Sequence, residues 1–154
     1  MFQWSDEHQM IRDAVKRFVD DEIRPHVDEL EHGDLPPYDI LRKLFATFGM
    51  DAMARESFKK RIERERAVAA GEHVPTNGSD SSAGGGSGDG GMSLIPIIEL
   101  CRVCPGMVTA MGVSMGLTSA SIMSKGTIAQ KERWALDLLT MDKVGAWAIT
   151  EPGS

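Results

Sequence analysis

The chain has 154 residues, of which 42% are hydrophobic and 26% are charged, and this is enough for one domain with a hydrophobic core. Its net charge of −6 argues against a general nucleic-acid binder, because such a protein needs a positively charged surface. The N-terminus lacks the basic and apolar regions of a signal peptide, and no apolar run of about 18 residues is apparent. We therefore expect a soluble, cytoplasmic protein without a membrane span.

The first predicted helix begins after Ser5, a residue type that caps helix N-termini, and two acidic residues follow it. Pro25 lacks a backbone N–H, so the helix should kink or weaken between Asp21 and Pro25. Apolar residues recur before that point at helical spacing and predict one buried stripe: Ile11, Ala14, Val15, Phe18, Val19 and Ile23.

A second helix is predicted after Pro37, which suits the first turn because its missing N–H would have no partner there. Gly49 is a natural C-terminal stop. The helix places apolar side chains on one face, at Tyr38, Leu41, Leu44, Phe45 and Phe48.

The next predicted helix is highly charged, with nine charged residues among residues 55–66. Its apolar residues are too few for a wide buried stripe, so we predict an exposed helix anchored by Phe58 and Ile62. Its six basic residues favour a solvated surface, and a phosphate-bearing ligand is the alternative.

Residues 77–91 contain seven glycines and four serines, a composition that cannot bury enough apolar surface to offset the entropy of ordering. We predict a flexible Gly/Ser loop. A phosphate-binding P-loop is excluded, because no strand precedes the glycines and no Gly-Lys-Ser/Thr sequence follows them.

Residues 92–104 are predicted to form a helix with Pro96 in its first turn, which places Cys101 and Cys104 one turn apart. No second cysteine pair is present to complete a zinc site, so we interpret both as small buried side chains, with a redox pair or metal ligands as alternatives. The histidines show no metal-ligand spacing, and we expect no metal site and a surface position for each of them: His8, His26, His32 and His73.

Residues 105–125 predict a buried helix, apolar or small nearly all round, that ends at Gly126. Thr109, Val113 and Leu117 recur at four-residue spacing along this helix and form one strip. By itself, this spacing indicates core packing.

Thr127 and Gln130 have the spacing of a capping box and predict a last helix that reaches about Thr140. Residues 144–150 then alternate between β-branched or aromatic and small side chains, which predicts a strand. Because a lone strand needs a neighbour, we expect its sheet to lie elsewhere. The predicted fold is an all-α domain over residues 1–142, followed at residues 143–154 by the start of a β-domain.

The sequence GTIAQKERWALDLLTMDKVGAWAITEPGS, residues 126–154, resembles the junction between the helical N-terminal domain and the β-domain of acyl-CoA dehydrogenases. In that family a Gly-Thr-x-x-Gln-Lys helix leads into a strand that ends in Thr-Glu-Pro. The resemblance covers residues 2–50 loosely and residues 90–154 well, whereas residues 55–89 depart from the family pattern.

These enzymes use FAD to remove hydrogens from the α and β carbons of an acyl-CoA thioester, so the resemblance implies the same reaction here. It also implies an acyl-CoA substrate, an electron-transfer flavoprotein or similar acceptor, and a homo- or hetero-oligomer when the protein is complete. The residues that it assigns to FAD contact are Trp147, Ile149 and Thr150, and those that it assigns to the acyl pocket are Thr109, Val113 and Leu117.

The resemblance places the catalytic base and most FAD contacts in domains that this sequence does not contain, so no acid here, Glu151 included, is assigned as the base. We therefore expect the N-terminal part of a longer or split enzyme, inactive alone. The alternatives are a non-catalytic helical scaffold or interaction module, and an acyl-CoA oxidase that passes its electrons to oxygen.

Overall fold

The computed structural model describes residues 4–73 and 90–153, which are mostly helical with no strand among them. The predicted all-α fold is confirmed. The α-helices are α1 (Asp6–Phe18), α2 (Val27–His32), α3 (Tyr38–Thr47), α4 (Met50–Ala69), α5 (Gly90–Cys101), α6 (Pro105–Gly112), α7 (Ser119–Lys125), α8 (Ile128–Gln130) and α9 (Leu136–Leu139).

Helix α1 begins as its sequence predicts, and its α-helical geometry ends at Phe18, before the predicted interval from Asp21 to Pro25. The backbone N–H of His8 donates to the hydroxyl of Ser5, 3.3 Å away, which caps the helix. After Phe18 the backbone passes through a π-helical turn, Val19–Ile23, and a 3₁₀ turn, Arg24–His26. Because Pro25 cannot donate a backbone hydrogen bond, the regular α-helical ladder does not continue past this point.

Two residues, Phe48 and Gly49, separate α3 from α4, and Gly49 has a left-handed φ of 65°. Helix α4 therefore begins at Met50, earlier than the charged stretch that predicted it. Phe58 and Ile62 are its buried side chains, as expected. They form a small second core with Met123 of α7 and Ala135, so α4 is attached to the C-terminal helices.

Three details of α5 differ from the prediction. The helix begins at Gly90, inside the predicted Gly/Ser loop, and residues 77–89 of that loop lie outside the described residues. Pro96 lies in the helix interior. The helix ends at Cys101, and Cys104 precedes α6 across a turn, so the two cysteines do not share one helix.

Helices α6 and α7 are joined by a π-helical segment, Val113–Thr118, into one continuous helix from Pro105 to Lys125. Its length and composition are sufficient to cross a membrane, contrary to our expectation that no such run exists, although core helices of soluble proteins meet the same criterion. The prediction that this helix is buried is wrong for most of its length, since only 22% of its most apolar window is buried. The described residues do not cover its remaining surface.

The last helical region begins with the predicted capping box. Gln130 donates its backbone N–H to the Thr127 hydroxyl, and its side-chain oxygen accepts from the Thr127 N–H at 2.8 Å. A π-helical turn, Lys131–Ala135, joins α8 to α9.

The predicted strand at residues 144–150 is not formed. This segment is without regular secondary structure. A strand is stabilised by hydrogen bonds to a neighbouring strand, and the described part of the chain offers none.

The main core lies between α1, α3, α5 and α6. Its fully buried side chains come from these helices, from the π-helical turn after α1 and from the last turn: Val15, Val19, Ile23, Leu41, Leu44, Phe45, Ile95, Leu100, Met107 and Met141.

Candidate functional site

The C-terminal segment leaves the helices through a tightly held turn at residues 140–145. Met141 has a left-handed φ of 60°, the only positive φ at a non-glycine residue in the described chain, and its side chain is fully buried. Its carbonyl oxygen accepts a hydrogen bond from Nε of Arg42 on α3 at 2.8 Å. A left-handed conformation costs a non-glycine residue about 1–2 kcal/mol, so the surrounding contacts must hold it in place.

Asp142, the next residue of the turn, is held by two side chains. Its Oδ2 accepts from the hydroxyl of Thr140 at 2.8 Å and from Nη2 of Arg55 on α4 at 2.6 Å. These two hydrogen bonds, the Thr140 bond first, lower the pKa of Asp142 below its usual value. The turn is thus tied to both α3 and α4.

Gly145 brings the segment against the long helix. Its N–H donates to the hydroxyl of the buried Ser114 at 3.1 Å. A Cβ atom at position 145 would lie 2.8 Å from Cβ and Cγ2 of Thr118, closer than carbon atoms pack, so the approach depends on glycine. The segment therefore crosses the helix at its π-helical turn.

The residues assigned to FAD contact follow directly and are exposed. Trp147 is 40% exposed, Ile149 is 67% exposed, and Thr150 is exposed as well. Gly153, just beyond, has a φ of 111° that favours glycine. Two large apolar side chains exposed on one short segment form an apolar surface on which another group can pack.

The residues assigned to the acyl pocket lie on the helix that this segment crosses. Thr109 is exposed, Val113 is half-buried and Leu117 is 50% exposed. In an α-helix, residues four apart drift by about 40° around the axis. The wider π-helical turn from Val113 onward drifts the opposite way, which keeps the strip nearly straight. Ser114 and Thr118, which follow Val113 and Leu117 in the sequence, are the helix residues that face Gly145.

Sequence reasoning did not identify the residues that hold the turn. Arg42 and Arg55 lie 99 and 87 positions from their partners, and no local spacing reveals such contacts. Ser114 and Gly145 also went unrecognised, although a glycine between Val144 and Ala146 is a recognisable signal of close approach.

Three arginines of α4, Arg55, Arg61 and Arg66, form ion pairs with acidic side chains. Arg66 pairs with Glu132 at 2.7 Å, and Glu65 accepts from Lys131 at 2.6 Å. An open groove of about 390 Å³ lies between α4 and the last helices. Its lining mixes both charges with apolar side chains: Arg55, Phe58, Lys59, Ile62, Glu63, Arg66, Glu132 and Leu136. This groove has no single charge preference.

The cysteines and histidines form no metal site in the described residues, where no group of three or more potential ligands occurs. Cys104 is buried and donates from Sγ to Glu31 at 3.0 Å, whereas Cys101 is exposed. Burial, with that carboxylate, raises the pKa of Cys104. The expected surface position of His8 is wrong, because it is buried beside Trp4 and hydrogen-bonded to Ser5.

Comparison with known proteins identifies the family. The model of the acyl-CoA dehydrogenase N-terminal domain matches residues 5–58 and 78–142. The chain belongs to the acyl-CoA dehydrogenase family. The internal gap in this match, residues 59–77, includes the C-terminal half of α4 and lies within residues 55–89, the stretch that departs from the family pattern.

Curated relatives align along nearly the whole chain. The short-chain specific acyl-CoA dehydrogenase of Clostridium acetobutylicum is 24% identical over 99% of this chain and 34% of its own length. The mitochondrial short-chain specific enzyme of Mus musculus is 26% identical over 96% of this chain and 30% of its own. The mitochondrial isovaleryl-CoA dehydrogenase of Arabidopsis thaliana is 24% identical over 98% of this chain and 31% of its own length. The chain thus spans about a third of these relatives, and no solved structure matches it significantly.

Proposed function

We propose that this chain is the N-terminal part of a flavin-dependent acyl-CoA dehydrogenase that desaturates an acyl-CoA thioester between its α and β carbons. The observation that carries the proposal is the junction at Gly145, where an exposed apolar segment ending in Thr150-Glu151-Pro152 is anchored against the helix of Thr109, Val113 and Leu117. Family membership supplies the reaction class.

The segment has the chemistry that a flavin ring requires. Trp147 and Ile149 offer exposed apolar area against which a flat aromatic ring packs. The exposed Thr150 adds a hydroxyl and backbone groups that hydrogen-bond to ring nitrogen and oxygen atoms. When bound, FAD accepts a hydride from the β carbon. This chain's own contribution is to orient the ring and to exclude water from one of its faces.

The helix strip serves the acyl chain. Leu117 and Val113 present apolar side chains and Thr109 a small one, and together they extend along two helical turns. An extended acyl chain gains about 0.8 kcal/mol for each buried CH₂ group. We assign no catalytic base to this chain, and the proton from the α carbon is taken by a carboxylate elsewhere in the protein.

The partners follow from the proposed reaction. An acyl-CoA is the substrate, and electrons leave the reduced flavin for an electron-transfer flavoprotein or a similar acceptor. The complete protein is a homo- or hetero-oligomer in the cytoplasm. The relatives named as short-chain and isovaleryl enzymes make short linear and short branched acyl-CoAs the first substrates to test.

The test uses the full-length protein that contains this sequence. We expect purified protein to show a flavin absorbance spectrum and an anaerobic loss of that absorbance on addition of butyryl-CoA or isovaleryl-CoA. Turnover with an artificial electron acceptor, without peroxide in air, identifies a dehydrogenase. Peroxide formation at the same rate as turnover identifies an oxidase instead. Colourless protein that binds neither FAD nor acyl-CoA contradicts the proposal and favours a helical scaffold.

A further inference from the structure

The turn that leads into the flavin-facing segment is held by side chains from three separate helical regions. Arg42 of α3 binds the Met141 carbonyl, Arg55 of α4 binds Asp142, and Ser114 of the π-helical turn binds the Gly145 N–H. Each contact joins residues at least 31 positions apart. The conformation of the turn therefore depends on long-range contacts rather than on its local sequence.

The guanidinium group of Arg42 is also held by its own helix. Its Nη1 donates to Oδ1 of Asp39, one turn earlier on α3, at 2.7 Å. This leaves Nε directed at the Met141 carbonyl. Because Met141 is held in a left-handed conformation with its side chain buried, the carbonyl contact fixes the direction in which the chain leaves α9.

Arg55 of α4 holds the following residue, Asp142. Thr140 and Arg55 share one carboxylate oxygen of Asp142, so the carboxylate bridges the end of α9 and helix α4. The backbone N–H of Lys143 then donates to the Asp137 carbonyl at 2.9 Å. Beyond Gly145 the side chains of residues 146–150 are exposed, so the direction of this exposed stretch is set at the turn.

We propose that Arg42 and Arg55 are positioning residues for the flavin site: they set the orientation of residues 146–150 through Met141 and Asp142 without touching the cofactor. This inference rests on the proposed function, since it takes that segment as the surface that faces FAD. Helix α4 thereby has a role in cofactor binding through Arg55, which lies within the part of the helix that the family match covers.

The experiment compares variants of the full-length protein for FAD affinity and kinetics. We expect Arg42→Ala to weaken FAD binding by about tenfold, because it leaves a carbonyl acceptor without its charged donor. Arg55→Ala should weaken it by about two- to fivefold, because its ion pair is half exposed. In both alanine variants kcat should fall by a larger factor than the KM for acyl-CoA rises. Arg42→Lys and Arg55→Lys should restore part of the affinity for FAD.

The matched control is Arg66→Ala, which removes another exposed ion pair of α4, about three helical turns beyond Arg55. The Arg66–Glu132 pair is 2.7 Å long, close to the 2.6 Å of the Arg55–Asp142 pair. Its FAD affinity should equal that of the wild type. If Arg42→Ala and Arg55→Ala bind FAD as the wild type does, or if all three variants weaken it equally, the inference is wrong. Should Arg42→Ala fail to fold, Arg55→Ala and Arg42→Lys carry the test.

Hydrogen–deuterium exchange separates this inference from the proposed function. In the absence of flavin, peptides covering residues 140–145 should exchange faster in Arg42→Ala and Arg55→Ala than in the wild type or in Arg66→Ala. Unchanged exchange overturns the positioning role even if the protein is a dehydrogenase. If the wild type binds no FAD but the two variants still exchange faster than the wild type at residues 140–145, the proposed function is overturned. Arg42 and Arg55 then remain the residues that orient the segment.

Discussion

Arg12 of α1 donates from Nε to Oε1 of Glu99 on α5 at 2.8 Å, and joins the two helices across 87 positions of sequence. Glu99 is 1% exposed, and its second oxygen accepts from Arg102. The carboxylate is thus held between two guanidinium groups inside the fold. A buried charge of this kind is tolerated because both of its oxygens are paired.

This arrangement predicts a stability that depends on pH. Burial alone raises the pKa of Glu99, but the hydrogen bonds from Arg12 and Arg102 outweigh it and lower the pKa below its usual value. A lowered pKa in the folded state contributes stability above the unfolded pKa, near 4.3, and loses it as the pH falls through the folded pKa. Glu99→Gln should therefore cost about 1–2 kcal/mol at pH 7 and less at pH 3.

The measurement is urea unfolding at several pH values between 7 and 3, followed by circular dichroism. Glu22→Gln is the control, since it removes an exposed pair with Lys43 and should change the free energy of unfolding by no more than about 1 kcal/mol. An equal loss of stability in Glu99→Gln at both ends of the pH range would contradict the prediction.

Trp147→Ala should raise the dissociation constant of FAD by about tenfold, since it removes an aromatic contact with the ring. Trp134→Ala is a matched control, because Trp134 is 42% exposed against 40% for Trp147 and lies in the last helical region under Arg133. The measurement is the quenching of FAD fluorescence as apoprotein is added. Equal affinity in the two variants would exclude Trp147 from the flavin site.

Leu117→Trp should change the choice of substrate, because a larger side chain narrows the proposed acyl pocket. We expect kcat/KM for a long-chain acyl-CoA to fall by about tenfold or more relative to that for a short one. Leu94→Trp is the control, since Leu94 is 50% exposed like Leu117 but lies on α5. A parallel change in both variants, or no change in the ratio for Leu117→Trp, would mean that this strip does not line the pocket.

Gly145→Ala should destabilise the junction between the C-terminal segment and the long helix. The added Cβ would lie 2.8 Å from Cβ of Thr118, which cannot move without the helix backbone, and overpacking of this kind costs about 1–3 kcal/mol. Gly106→Ala is the opposite case, since its Cβ would meet only the flexible Glu31 carboxylate at 3.5 Å. Thermal unfolding should show a lower Tm for Gly145→Ala alone. A Tm for Gly145→Ala equal to that of the wild type would show that the crossing is looser than the structure indicates.

The sequence by itself determined several of the helix boundaries. Ser5 and Thr127 cap their helices through bonds to residues three positions on, Pro25 interrupts the ladder, and Gly49 turns the chain with a left-handed φ. These outcomes are predictable because each is decided within about one helical turn of backbone. The resemblance to the acyl-CoA dehydrogenases was likewise read from a local pattern, residues 126–154, and the family match then came from residues 5–58 and 78–142.

Only the tertiary structure decided what covers each helix and where the last segment points. The helix from Pro105 to Lys125 is apolar enough for a core, yet most of it is half-buried or exposed. Residues 144–150 have the composition of a strand but form none, because strand formation depends on a neighbour that the described residues do not provide. The contact between Arg42 and the Met141 carbonyl spans 99 positions. Burial and long-range hydrogen bonds of this kind depend on which elements pack together, and no local pattern in the sequence encodes that choice.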